Sequence, residues 1–387
     1  MILGLFVDDD VPASDTRRPS ERRQFQYMNT VKDRVTEIDL LRIIAALAVV
    51  FFHYTFRGYA GGGMSIMPYP LLAPIAKYGY FGVDLFFMLS GFVILMTASN
   101  GSLTKFVASR IARLYPAFWI CCTITFIATL AIGGSRYSSS LSQYLINMTM
   151  MNGFFDVPSI DGVYWTIFIE IKFYFLVALL LLIRKIDKAQ FFIIGWLVVT
   201  VLLELHPSYT LQHFLITDYS PYFIAGALFF LVYRHGLSMT RVGALVLAWV
   251  VALRHALGEM HNMVESYNTE FDSRIVMCLI TLFFVTMLLV AIKRTGFFGK
   301  RDWITIGALT YPLYLLHQHI GFMIFNWTYP AVNSHVLLVA TVVAMIFLAH
   351  KVNKHIEQRF FHSFKITIEN YLATGLQRCL VLFSARP

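Results

Sequence analysis

Residues 37–54 read EIDLLRIIAALAVVFFHY. From Ile43 to Phe52 every residue is apolar, yet Arg42 opens the run and His53 closes it. On a helix that turns 100° per residue, positions eleven apart fall on nearly the same face and lie roughly 16 Å apart along the axis. An ionised group in a membrane span costs about 3 kcal/mol or more, so such residues usually face a bundle interior, where they have a task. The stretch therefore reads as the first span of a helical membrane protein, with a functional pair built into it.

The rest of the chain agrees. Hydrophobic residues make up 58% of the 387 and charged residues only 14%, too apolar for a soluble domain. Apolar runs near 20 residues long alternate with short polar links, the pattern of an all-α polytopic membrane protein. About ten transmembrane helices are expected, near 38–56, 79–98, 114–132, 163–183, 190–205, 219–233, 242–257, 274–292, 303–325 and 335–352. Lys and Arg collect in alternate links: Lys105, Arg110 and Arg113; Arg184, Lys185 and Lys188; Lys293, Arg294, Lys300 and Arg301; Lys351, Lys354 and Arg359. The other links carry few, so the positive-inside rule puts both termini in the cytoplasm. This asymmetry accounts for most of the net charge of +9, and no nucleic-acid partner is needed to explain it. The division of the chain is a disordered cytoplasmic tail over 1–35, a membrane domain over 36–360, and a second tail over 361–387 with the spacing of an amphipathic helix on the inner surface. Cys121, Cys122, Cys278 and Cys379 show no metal-binding or disulfide spacing.

With the orientation set, helical rise gives depth. His53 lies about 5 Å below the outer end of the first span and Glu170 about 10 Å below that surface. Asp84 in span 2 and His317 in span 9 also fall in the outer half, so four ionisable groups from four helices reach similar depth. Simpler roles exist for each: a core histidine with its donor satisfied, an ion pair of Asp84 with Arg42 or Lys77, a local Asp39–Arg42 bridge, interfacial anchoring by Arg110 and Arg113. Glu170 is the hardest to dismiss, because a carboxylate in mid-span needs a partner or a raised pKa. Tyr174, at i+4, shares its face.

Five motifs then stand in order: Arg42 and His53 with ten residues between them in the first helix; GVDLFFMLSGF from Gly82 to Phe92; Arg110-Ile-Ala-Arg113 before Tyr115-Pro116; Trp165, Glu170, Phe173 and Tyr174; and YPLYLLHQ from Tyr311 to Gln318. In these the chain resembles the acyltransferase-3 family, bacterial inner-membrane O-acyltransferases that depend on acyl-CoA. The resemblance covers roughly residues 35–360. A glycine common just before the family's first-helix arginine is replaced by Leu40-Leu41.

The resemblance implies transfer of an acyl group, commonly acetyl, from cytoplasmic acyl-CoA to a hydroxyl of a cell-envelope polysaccharide or its lipid-linked precursor, with no metal. On that reading Arg110 and Arg113 would bind CoA phosphates and Arg42 would lie along the path of the pantetheine arm. His53 would be the general base. Glu170 would orient or charge-balance its imidazole, or bind the sugar, and a covalent acyl-histidine relay stays open. Asp84, Trp165, Tyr174, Tyr314 and His317 would support the substrate or the packing. Acylation of a small molecule or lipid, and a proton-coupled transporter or flippase, are the competing readings, though the paired broken segments of inverted repeats are missing. Oligomeric state stays open.

Overall fold

A computed structural model describes residues 35–384, with side chains through residue 375. The N-terminal tail expected over 1–35 lies outside the described residues, Val35 excepted. All regular structure among the described residues is helical. In chain order the long helices are α1 Thr36–Ala60, α2 Ala73–Ala98, α3 Leu103–Ile132, α4 Gly162–Leu182, α5 Ile186–Leu205, α6 Ser220–His235, α7 Met239–Tyr267, α8 Ser273–Ala291, α9 Thr310–Thr328 and α10 Ser334–Gly375. All of these except α6 and α9, eight helices among the described residues, are long and apolar enough to cross a membrane.

The two exceptions occupy the middle. α6 has only 16 residues, about 24 Å of helix, and every residue from Ser220 to Val232 is buried. A helix apolar all round needs protein on every side, and α2, α5, α7 and α8 supply it. α9 has 19 residues and is almost as buried, but carries His317, Gln318, His319 and Asn326. Its neighbours are α1, α3 and α10. The close approach of α2 to α6 depends on glycine: a Cβ on Gly91 would strike the Phe223 carbonyl, and one on Gly226 would strike that of Met88. Small residues at a membrane helix crossing let the two backbones meet, so the glycine of the α2 motif has a packing role.

Neither end helix is regular throughout. α1 passes through a π-helical turn at His53–Arg57 before it stops at Ala60, and α10 has a second at Asn353–Glu357. Such turns admit an extra residue and frequently sit at functional sites. Beyond the second, the residues expected to form a separate tail are helix, Gln358–Ser384, continuous with α10. This helix packs on α3, where the rings of Phe364 and Trp119 lie 6.0 Å apart.

At one end of the bundle α1, α3 and α10 are tied together: Tyr137 Oη donates to the Met64 carbonyl at 2.8 Å, and Tyr69 Oη to that of Ser334. At the opposite end Thr36 Oγ1 donates to the Arg301 carbonyl at 2.9 Å, and Thr295 Oγ1 to Glu37 at 2.6 Å.

Candidate active site

Five helices, α1, α2, α3, α4 and α9, surround a cavity of about 110 Å³. Arg42 reaches it from α1, Arg110 and Arg113 from α3, Glu170 and Tyr174 from α4, and Tyr314 from α9. The i, i+3 and i, i+4 spacings of the last four residues on α3 and α4 turn each pair to one face, which is why two short motifs suffice to line it.

The charges are not equally matched. Arg42 Nη1 stands 3.9 Å from Asp39 Oδ1, the local bridge its spacing suggested. Arg113 Nη1 stands 3.8 Å from Oε1 of Glu357, which arrives on the π-helical turn of α10. Glu170 Oε1 accepts from Ser90 Oγ at 2.8 Å, and the Tyr174 hydroxyl is its second partner. Arg110 differs. It donates to Ser109 Oγ at 3.1 Å and lies over the Phe106 and Tyr174 rings, yet it has no carboxylate within ion-pair distance among the described residues. Its Nε is buried without a hydrogen-bond partner. A buried donor left unpaired costs about 1–3 kcal/mol, so Arg110 is the cavity's unsatisfied cation.

Behind Tyr314 lies a histidine pair. His317 Nδ1 is 2.8 Å from the Tyr314 carbonyl and 3.2 Å from that of Leu313. A carbonyl can only accept, so this nitrogen bears the proton and Nε2 holds a lone pair. His317 Nε2 is 2.9 Å from His53 Nδ1, which must therefore donate. In the neutral ring His53 Nε2 is then the acceptor, and Arg57 Nη1 occupies it at 3.2 Å. These tautomers follow from the partners rather than from observed hydrogens. Both rings are buried, and Tyr54 Oη, donating to the His317 carbonyl at 2.6 Å, fixes that stretch of α9. Tyr314 joins the two regions: it lines the cavity, its ring is 5.6 Å from that of His317, and its hydroxyl accepts from Thr166 Oγ1 at 3.1 Å.

The four ionisable groups expected to converge thus stand in three places. His53 and His317 meet. Glu170 sits instead with Ser90 and Tyr174 in the arginine cavity, and among the described residues the partner of the His53 imidazole is His317, not Glu170. Asp84 pairs with Tyr222 rather than with Arg42 or Lys77, while Lys77 donates to the Glu270 carbonyl. Trp165 packs on Tyr219 and on Phe87, a cavity-lining residue, and does not itself reach the cavity. Sequence reasoning overlooked Arg57, Ser90 and Glu357. Arg57 was detectable as the i+4 neighbour of His53, and Ser90 as a member of the α2 motif. Glu357 carries no local signal, since its partner on α3 is far away in the chain.

The fold and these buried groups define a multi-pass helical membrane protein with ionisable side chains gathered inside the bundle. The chain belongs to the acyltransferase-3 family, a family of acyl-transferring enzymes, whose acyltransferase domain matches residues 35–349. It is similar to nodulation protein 10 of Rhizobium leguminosarum bv. viciae, with 30% identity over 208 residues, 48% of this chain and 53% of that protein. The chain thus spans about half the length of this relative. A second relative, named as acetyltransferase ORF330 of Acidianus two-tailed virus, is 23% identical over 309 residues, 76% of this chain and 86% of that protein. No solved structure matches the chain.

Proposed function

We propose that this protein moves an acyl group, acetyl by preference, from cytoplasmic acyl-CoA to a hydroxyl of a cell-envelope polysaccharide or its lipid-linked precursor. It does so as a ten-helix bundle of a bacterial inner membrane, with both termini in the cytoplasm. In that topology α6 and α9 are crossings too, short or polar because protein surrounds them. The single observation that carries the reading is the unsatisfied Arg110 in a cavity that adjoins the buried His53–His317 pair across Tyr314. A guanidinium without a carboxylate is a site for phosphate, and a dry histidine held by a defined partner is a base.

Arg110 and Arg113 hold the CoA phosphates and Arg42 lies along the pantetheine arm, with Glu170 keeping Arg42 and its neighbours from excess positive charge. The thioester reaches past Tyr314 towards His53. His53 Nε2 removes the acceptor's hydroxyl proton as the oxygen bonds to the acyl carbon, and the Nδ1–H donated to His317 keeps the ring in the tautomer this needs. When the carbon–sulfur bond breaks, the thiolate takes the proton back from His53. Neither histidine nor acceptor is changed in charge at the end of the cycle.

The test replaces the base. His53→Ala is expected to lower acyl transfer from acetyl-CoA by about 1,000-fold, the middle of the range for a general base. The readout is acyl content of envelope glycan by mass spectrometry in a deletion strain carrying the variant. Normal acylation in that strain would refute the reading.

A further inference from the structure

A second cavity, of about 440 Å³, opens at the end of the bundle where α1 and α3 finish. It is lined by the loop after α1, by residues 136–143 and 158–160, and by His319 of α9. Its character differs from that of the first. Arg136, Tyr137, Ser138, Ser139, Ser159 and His319 bring a guanidinium, hydroxyls and two rings, and its lining contains no carboxylate.

The walls are tied in place. Arg136 Nη1 donates to the Gly63 carbonyl and Tyr137 Oη to that of Met64. His319 Nδ1 donates to the Ile160 carbonyl at 2.9 Å, while its Nε2 accepts from Gly162 N at 3.3 Å. Fully buried Asp161 accepts the backbone N–H of His319 at 2.9 Å and of Val163 at 3.1 Å. Against this fixed frame Ser138 is exposed and Ser139 half-buried, so their hydroxyls are open to a ligand. The rings of Tyr137 and His319 meet on the wall at 5.0 Å, tilted by 59°. Open hydroxyls, a cation and ring faces held by a rigid scaffold match a small, hydroxyl-rich ligand, and the volume is in the usual range for a small-molecule site.

α1 links the cavity to the histidine pair: the Arg57 carbonyl accepts from Gly61 N at 2.7 Å where the lining loop begins. The Arg57 side chain in turn reaches His53 Nε2 at 3.2 Å. Like Arg110, it has no carboxylate within ion-pair distance among the described residues, so an incoming polar group breaks no salt bridge when it displaces it.

We infer that this second cavity binds the acceptor: a polyhydroxylated, sugar-like compound that offers one hydroxyl to His53 by displacing the Arg57 guanidinium from Nε2. This rests on the acyl-transfer reading above. The hydroxyl proton passes to His53 Nε2, its oxygen forms the ester bond to the acyl carbon, and the thiolate leaves with that proton.

The full chain in lipid nanodiscs tests this, with acetyl-CoA as donor and, as acceptor, oligosaccharides released from the envelope of the deletion strain. The double substitution Ser138→Ala and Ser139→Ala is expected to raise the KM for the oligosaccharide about tenfold, the loss of two hydrogen bonds. The KM for acetyl-CoA should stay within about twofold. Ser139→Trp, which fills the cavity, should lower transfer about 100-fold or more by excluding the acceptor, with thermal unfolding confirming that the variant folds. An oligosaccharide KM unchanged in the double variant, while transfer still requires His53, would overturn the inference and leave the acyl-transfer reading standing. Transfer that survives His53→Ala would overturn both.

Discussion

The arginine cavity and the hydroxyl-lined cavity are built from different parts of the fold. The first is walled by side chains on long helices, and acids drawn from three elements stand around its cations: Asp39, Glu170 and Glu357. The second is walled largely by connecting loops, held by hydrogen bonds to backbone carbonyls rather than by ion pairs. Helical walls suit a ligand that is always the same, and loops suit one that varies between relatives. On the proposed reading the constant ligand is the acyl donor and the variable one its acceptor. Between them lie His53 and His317, which belong to neither lining.

The contrast is broken or sharpened most directly at Arg110. If it is the phosphate-binding group of the helical cavity, Arg110→Ala should raise the KM for acetyl-CoA about 10- to 100-fold, because a hydrogen bond to a charged group contributes about 1.5–3 kcal/mol. The oligosaccharide KM should hardly move. Steady-state kinetics with each substrate varied in turn reads the split, and an equal rise in both constants would erase the distinction between the cavities. Arg110→Lys keeps the charge but loses the fork, so it should restore only part of the affinity.

Next in size is the joint between the two regions. His317 touches neither cavity and acts through His53, so it is a positioning residue. His317→Ala should lower kcat about tenfold and leave both KM values in place, the pattern of an interaction made in the transition state alone. Gln places an acceptor where Nε2 stood, so His317→Gln should recover part of the rate. The double variant with His53→Ala should be no slower than His53→Ala by itself, since two residues that act as a unit are not additive. Additive losses would mean that His317 serves the packing of α9 and not the base.

How these residues came to be separated explains what the sequence could and could not tell. Eight of the ten expected spans, all but those near 219–233 and 303–325, coincide with helices long and apolar enough to cross a membrane, and these, the Arg42–His53 helix and the faces shared by Arg110 with Arg113 and Glu170 with Tyr174 were readable because each is a matter of period along one chain segment. Direction around the axis relative to neighbouring helices was not. His53 and His317 are buried, yet height along a helix could not tell that Asp84 turns to Tyr222 on α6 or Glu170 to Ser90 on α2. The π-helical turns widened the gap, since at His53–Arg57 the backbone departs from the 100° period on which face assignments depend.

Glu170 offers the finest test of this division. Placed by depth, it would orient the His53 imidazole, and its loss would change the pH dependence of kcat. Placed by its hydrogen bonds to Ser90 and Tyr174, it belongs to the donor's cavity and tempers the charge there. Glu170→Gln keeps an acceptor for Ser90 and removes only the charge. The expected result is a change of about threefold in the KM for acetyl-CoA, the size of a modest electrostatic contribution near 0.7 kcal/mol. The pH–kcat profile, which reports groups in the substrate complex, should superimpose on that of the parent. A shifted profile would put Glu170 back with the histidines, and the boundary between the two regions would then run through α4 rather than through Tyr314.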